Sequence, residues 1–158
     1  MKNEHGFSLV ELLIVVAIIA IIAAIAVPSL LTSRQAANEA GAIQGCRTIG
    51  SAEIAFAATN NQQFTDLNTL ATGNFLDARF SLDTNVINGY TYGTGDVPQI
   101  DGGAVPNGFE WVATPTTGMG RYAYGVAPDM VVRWVAAGSP DGLPGGVVDG
   151  DPIGKRTS

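Results

Sequence analysis

Histidine and cysteine are almost missing from this chain: His5 and Cys46 are the single examples of each. One cysteine excludes an intrachain disulfide, although an exported protein need not contain one. Positive charge is also sparse. Eight Lys and Arg against fourteen Asp and Glu leave a net charge of -6. Arg34, Arg47, Arg79, Arg121 and Arg133 stand singly, so the clustered basic footprint of a nucleic-acid binder is absent and nucleic acid is not indicated as a partner. Charge is lacking altogether from Leu12 to Ser33, whereas the remainder is polar and rich in Gly, Thr, Asn and Asp. That shift marks the one obvious boundary, and 158 residues suit a single domain with a real core.

The N-terminus reads MKNEHG-FSLVELLIVVAIIAIIAAIAVPSLL. An apolar run near the ~20 residues that a spanning helix needs is a membrane segment candidate. The run contains no glycine, and no proline before Pro28, so its backbone can satisfy its hydrogen bonds internally as a bilayer demands. Lys2 and the initiating amine favour a cytoplasmic start, partly countered by Glu4, with the bulk of the chain outside. A secretory signal cut at Ala24-Ile25-Ala26, leaving Val27 as the new terminus, is one reading. A plain uncleaved anchor is another. Neither has a use for Glu11, a carboxylate beside the apolar run, and an acid at membrane depth is read as functional by default.

GFSLVELL, the long apolar helix after it and Pro28 together resemble the class III signal of type IV pilins and type II secretion pseudopilins. The resemblance is specific over about the first thirty residues, because Gly6, Phe7 and Glu11 must all keep their spacing. It implies that a prepilin peptidase cuts between Gly6 and Phe7, that Phe7 is then N-methylated, and that Glu11 is the charge used in assembly. Pro28 falls where the family often has a helix-bending proline. With residues 1–6 removed as a leader, His5 is lost, and histidine-based catalysis and histidine-ligated zinc go with it. The residues make chemical sense of the motif. Glycine lets a peptidase approach the backbone. After the cut, an amine at Phe7 from one subunit and the carboxylate of Glu11 from its neighbour can neutralise each other, which sets register more than stability.

Helical character continues beyond the apolar segment, to about Thr59. Ile43, Cys46, Ile49 or Gly50, Ile54 and Ala57 recur at three or four residues, as one helix face does. Pro28 would bend this helix, having no N–H for the carbonyl of Ala24. Ala37, Gly41 and Gly45 place a small-residue groove along one side, open to two readings: close packing between subunits, or packing on the chain's own sheet. Cys46 reads as a small core residue. A connector over 60–88 carries a short helix with Leu67 and Leu70, capped by Thr65 and ended by Gly73. Phe75, Leu76, Phe80 and Leu82 are expected beneath the fold. Four strands follow: around Tyr90 and Tyr92, Phe109 to Ala113, Tyr122 to Val126, and Met130 to Ala136 after a Pro128-Asp129 turn.

The tail over 138–158 is too rich in Gly and Pro for regular structure. Asp141, Asp149 and Asp151 offer oxygen ligands of the kind calcium takes, and some pseudopilins are stabilised by calcium here, but the spacing is not that of an EF-hand. A solvated tail is the competing reading, and no other cofactor is expected. The tyrosines and tryptophans alternate along strands and read as sheet core. Gly93-Thr94-Gly95 lacks the helix and lysine of a phosphate loop. Glu53 and Glu110 have no acidic neighbour, so no carboxylate pair for hydrolysis emerges and no enzyme is expected.

The expected fold is α+β: a long N-terminal helix, its apolar half (7–33) protruding, packed through residues 34–59 on a four-stranded antiparallel sheet (89–137). The expected function is a structural filament subunit. Its partners are its own copies or related pilins, the prepilin peptidase, an inner-membrane assembly platform, and lipid before assembly. It starts as a single-pass inner-membrane precursor and ends in an extracellular pilus, or in a periplasmic pseudopilus as the alternative. An exported binding protein with an ordinary signal peptide is the remote alternative.

Overall fold

The computed structural model describes residues 7–81, 86–94, 108–137 and 151–153. The chain forms two compact units, Met1–Arg34 and Gln35–Ser158. Helix α1, Leu9–Thr59, is continuous in backbone and includes Pro28. In the second unit it is followed by α2 (Leu67–Thr72), a 3₁₀ turn (Ala78–Phe80) and strands β1 (Val86–Ile87), β2 (Tyr90–Thr94), β3 (Trp111–Pro115), β4 (Tyr122–Val126), β5 (Val132–Ala136) and β6 (Asp151–Pro152). The sheet is an antiparallel meander in chain order. The α+β expectation therefore holds, with six strands among the described residues in place of four.

Both additional strands are two-residue edges. β1 falls within the stretch expected as connector, yet Val86-Ile87-Asn88-Gly89-Tyr90 is a hairpin. Ile87 pairs with Tyr90 across a two-residue loop, and Asn88 and Gly89 both have positive φ (52° and 75°), as Asn-Gly supplies most readily. β6 lies in the tail that was expected to be irregular. Its Asp151 pairs with Trp134 and its Pro152 with Arg133, and the Ile153 N–H donates to the Val132 carbonyl (3.0 Å). Proline is tolerated there because the strand is an edge. The fourth strand begins at Val132 rather than Met130: Pro128-Asp129 turns the chain, the Met130 N–H closes on the Ala127 carbonyl (2.9 Å), and Met130 has a φ of 61°.

The core lies between the second half of α1 and the inner face of β2–β5, where Tyr90, Tyr92, Trp111, Tyr124, Val126 and Val132 alternate inward. Leu67 and Leu70 of α2, with Leu76 and Phe80, close one side; Leu82 is outside the described residues. The cap of α2 differs from expectation. Asp66 accepts from the Thr69 N–H (2.9 Å) and its hydroxyl (2.8 Å), and a carboxylate at a helix N-terminus also meets the positive end of the dipole.

Candidate functional site

At the start of α1, Ser8 and Glu11 form a reciprocal cap. The Val10 N–H donates to Ser8 Oγ (3.3 Å), and the Ser8 N–H donates to Glu11 Oε2 (2.9 Å). This Ser-x-x-Glu box satisfies two of the amide groups that a helix start leaves without partners. The Ser8–Glu11 spacing carries this signal in the sequence, alongside the charge that Glu11 places in an apolar setting. The side chain is thereby held one turn from Phe7, the residue expected to carry the new amine. Gly6, on the other side of the expected cut, lies outside the described residues.

From Phe7 to Leu31 every large apolar side chain is exposed, from 46% at Val15 to 77% at Phe7 and Leu9. The helix is long and apolar enough to cross a membrane. Near Pro28, hydroxyls turn back onto the backbone: Thr32 donates to the Ser29 carbonyl (2.9 Å) and to that of Pro28 (3.4 Å), and Ser33 to that of Ser29 (2.9 Å). Short hydroxyl side chains bonded to the preceding turn keep their polar atoms satisfied within the helix.

In the second unit the first turns of α1 grip the β3–β4 loop. Gln35 Nε2 donates to the Gly118 carbonyl (3.1 Å) and Asn38 Nδ2 to that of Met119 (3.0 Å). Glu39 receives three bonds from Arg121, from its backbone N–H (2.9 Å), Nε (3.0 Å) and a terminal nitrogen (2.9 Å). The guanidinium holds the Glu39 carboxyl below the usual carboxylate range. None of these anchors announces itself in sequence, since the partners lie about eighty residues apart and polar residues on a helix read as solvent face.

The small-residue stripe resolves toward the chain's own sheet. A Cβ added at Gly45 would lie 2.1 Å from the Tyr92 hydroxyl, and one at Gly41 would lie 2.7 Å from Asn88 Nδ2. Ala37 is exposed. Ile54, expected on the inner face, is 43% exposed; Glu53 takes the inward position. Glu53 accepts from Trp111 Nε1 (2.9 Å) and from the Thr65 N–H (3.2 Å). Glu110, just before β3, acts on Arg133, whereas the bonds of Glu53 go to Trp111 and Thr65. Cys46 is fully buried, and burial pushes its thiol up to about 12, which makes it an inert core residue. The aromatic residues pack as sheet core, with Tyr122 edge-on to Trp134 (4.8 Å) and Phe80 to Tyr92 (5.0 Å). Of the calcium candidates, Asp151 lies in β6, while Asp141 and Asp149 are outside the described residues. Among the described residues no three Asp, Glu, His or Cys side chains gather as a metal site would require.

Residues 1–27 match the prokaryotic N-terminal methylation motif. Over 39 residues the chain is 59% identical to the type IV wide pilus major component PilA4 of Thermus thermophilus. That stretch is 25% of this chain and 30% of the relative, so the likeness covers about a third of the relative's length. The resemblance to type IV pilins carried by GFSLVELL is borne out by both findings.

Proposed function

We propose that this chain is a structural subunit of a type IV pilus. It is made as a single-pass inner-membrane precursor with the sheet-bearing unit outside. A prepilin peptidase cuts between Gly6 and Phe7, Phe7 is methylated, and an inner-membrane platform assembles the product with its own copies or related pilins. The observation that carries the reading is the conjunction at residues 7–31: a methylation motif opens a helix whose large apolar side chains are all exposed. A helix apolar all round needs apolar surroundings on every side, which lipid supplies first and neighbouring copies of the same helix supply later. Glu11 then neutralises the Phe7 amine of an adjacent subunit, and Pro28 bends the helix so that it fits the bundle. The role is structural and non-enzymatic.

The name of the Thermus relative, a pilus major component, favours a pilus over the pseudopilus of a secretion system. Calcium at Asp141, Asp149 and Asp151 belongs to the proposal only as a stabiliser of the tail. Intact-mass measurement on sheared filaments tests the whole reading. The expected species begins at Phe7 and carries one methyl group; retention of residues 1–6 would overturn it.

A further inference from the structure

We propose that Glu53 is a proton-operated latch in the sheet-bearing unit: the turn after α1 and strand β3 stay closed over its carboxyl group while it carries a proton, and the turn opens to water when it is ionised. The geometry is that of a sealed carboxyl group. Glu53 is 0% exposed, and its two oxygens meet donors from two other parts of the chain. Oε1 takes the Trp111 indole N–H of β3, and Oε2 takes the Thr65 N–H just before α2. Both donors are neutral. A buried anion held by two neutral donors lacks the counter-charge that would offset its loss of hydration.

Among the described residues, no surrounding group supplies that counter-charge. On α1 the residues one turn away are Ile49, Gly50, Phe56 and Ala57. From the connector, Asp66 acts on Glu53 with a like charge. Just before β3, Glu110 acts on Arg133. Burial, with Asp66 adding to it and the Trp111 and Thr65 bonds opposing it, raises the Glu53 carboxyl to about 7.

The sign follows from linkage. Between the ordinary glutamate range and about 7, the folded unit binds a proton that the unfolded chain does not. Stability contributed by Glu53 is therefore full below that window and is lost as pH rises through it. Glu39 works in the opposite sense: its lowered value contributes stability that is lost in acid. Above neutrality the ionised Glu53 is relieved by admitting water, and the accessible route is the Asn60–Asp66 turn, which it holds through one backbone N–H. The latch belongs to this unit alone and does not depend on filament assembly.

The test is hydrogen exchange at the Thr65 amide, with Trp111 emission alongside, on the full chain in detergent micelles from about pH 5.5 to about pH 8.5. After correction for intrinsic exchange, Thr65 protection is expected to fall by about tenfold or more across that range. Glu53→Gln, which cannot ionise, is expected to abolish the fall and to be the more stable protein at the alkaline end. Trp111→Phe keeps an aromatic ring at this position and removes the donor that favours the anion, so it is expected to move the transition to higher pH; this variant decides the matter should Glu53→Gln fail to fold. A flat Thr65 profile in the unmodified chain would overturn the latch. So would an equal fall in Glu53→Gln, or a transition that Trp111→Phe leaves in place.

Discussion

The two halves of helix α1 share a backbone geometry and differ in almost everything else. From Leu9 to Leu31 the helix is apolar around its whole circumference and has no preferred face, so its large side chains are exposed in every direction. From Gln35 to Thr59 a narrower arc, centred on Ala42, Cys46, Ile49 and Glu53, is buried, while Arg47, Thr48 and Ser51 are exposed. The first half concentrates its polar chemistry at its start, in Ser8 and Glu11. The second distributes it along the contact with the sheet, in Gln35, Asn38, Glu39 and Glu53. A helix without a face can exchange one apolar environment for another, lipid for like helices, at little cost in free energy. A helix pinned by directional bonds to one sheet cannot. The contrast separates a segment suited to changing partners from one that keeps its partner throughout.

The largest effect that would break this contrast lies at Glu11. In the monomer its carboxylate caps the helix through the Ser8 N–H (2.9 Å); in the proposed filament it is also the counter-charge for a neighbour's amine. Losing a helix cap costs about 0.5–2 kcal/mol. Leaving a buried charge without its partner costs about 3–5 kcal/mol, a penalty repeated at every added subunit. Glu11→Ala removes both functions, whereas Glu11→Gln keeps an oxygen for the Ser8 N–H and removes only the charge. Both substitutions are expected to cut sheared filament yield sharply at unchanged subunit levels, measured by immunoblot. Filaments restored by Gln but not by Ala would assign Glu11 to the cap.

Legibility in the sequence follows the same division. The first half was readable because its information is local: the Gly6-Phe7-Glu11 spacing and an uninterrupted apolar run need no knowledge of the fold. In the second unit, strands β2 to β4 were readable from alternation, since Tyr90, Tyr92, Trp111, Ala113 and Tyr124 all point inward. The edges were harder. The β1–β2 hairpin carried its Asn88-Gly89 signal in plain view, but two-residue strands show no periodicity. β6 exists only through its pairing with β5, which no local pattern announces. Apolar periodicity favours Ile54 over Glu53 for the inner face, because it assigns a glutamate to solvent. Its two donors, twelve and fifty-eight residues away, are what allow the exchange.

The small-residue stripe offers an intermediate effect that separates packing within a subunit from packing between subunits. A Cβ at Gly45 would sit 2.1, 2.6 and 2.8 Å from three atoms of the buried Tyr92 side chain, so Gly45→Ala forces the ring off β2's inner face. Overpacking of this kind costs about 1–3 kcal/mol, and alanine's better helix propensity returns up to ~1 kcal/mol. The thermal midpoint of the sheet-bearing unit is expected to fall, with a net loss of about 1–2 kcal/mol. An unchanged midpoint accompanied by reduced filament yield would place the stripe at a subunit interface instead.

The smallest expected effect is at the other side of the same contact. The Tyr92 ring is 2% exposed, and its hydroxyl is a buried polar atom that finds no hydrogen-bond partner among the described residues. An orphaned buried hydroxyl forfeits its hydration and gains nothing in return, a penalty of about 1–3 kcal/mol. Against this, Tyr92→Phe removes the atom that lies closest to Gly45 and leaves a small void, whose cost scales with the volume left unfilled and is only a fraction of that for a large-to-small core substitution. The edge-on contact with Phe80 at 5.0 Å involves the ring alone and survives the change. Burial also raises the Tyr92 phenol well above its ordinary value, so it stays neutral at working pH and no charge is lost with the oxygen. Tyr92→Phe is therefore expected to leave the thermal midpoint unchanged or raise it slightly, a gain of less than ~1 kcal/mol. Thermal unfolding of the full chain in micelles measures it. A clear loss of stability would mean that the hydroxyl makes a bond in solution, and that the second half of α1 is fastened to the sheet at one further point.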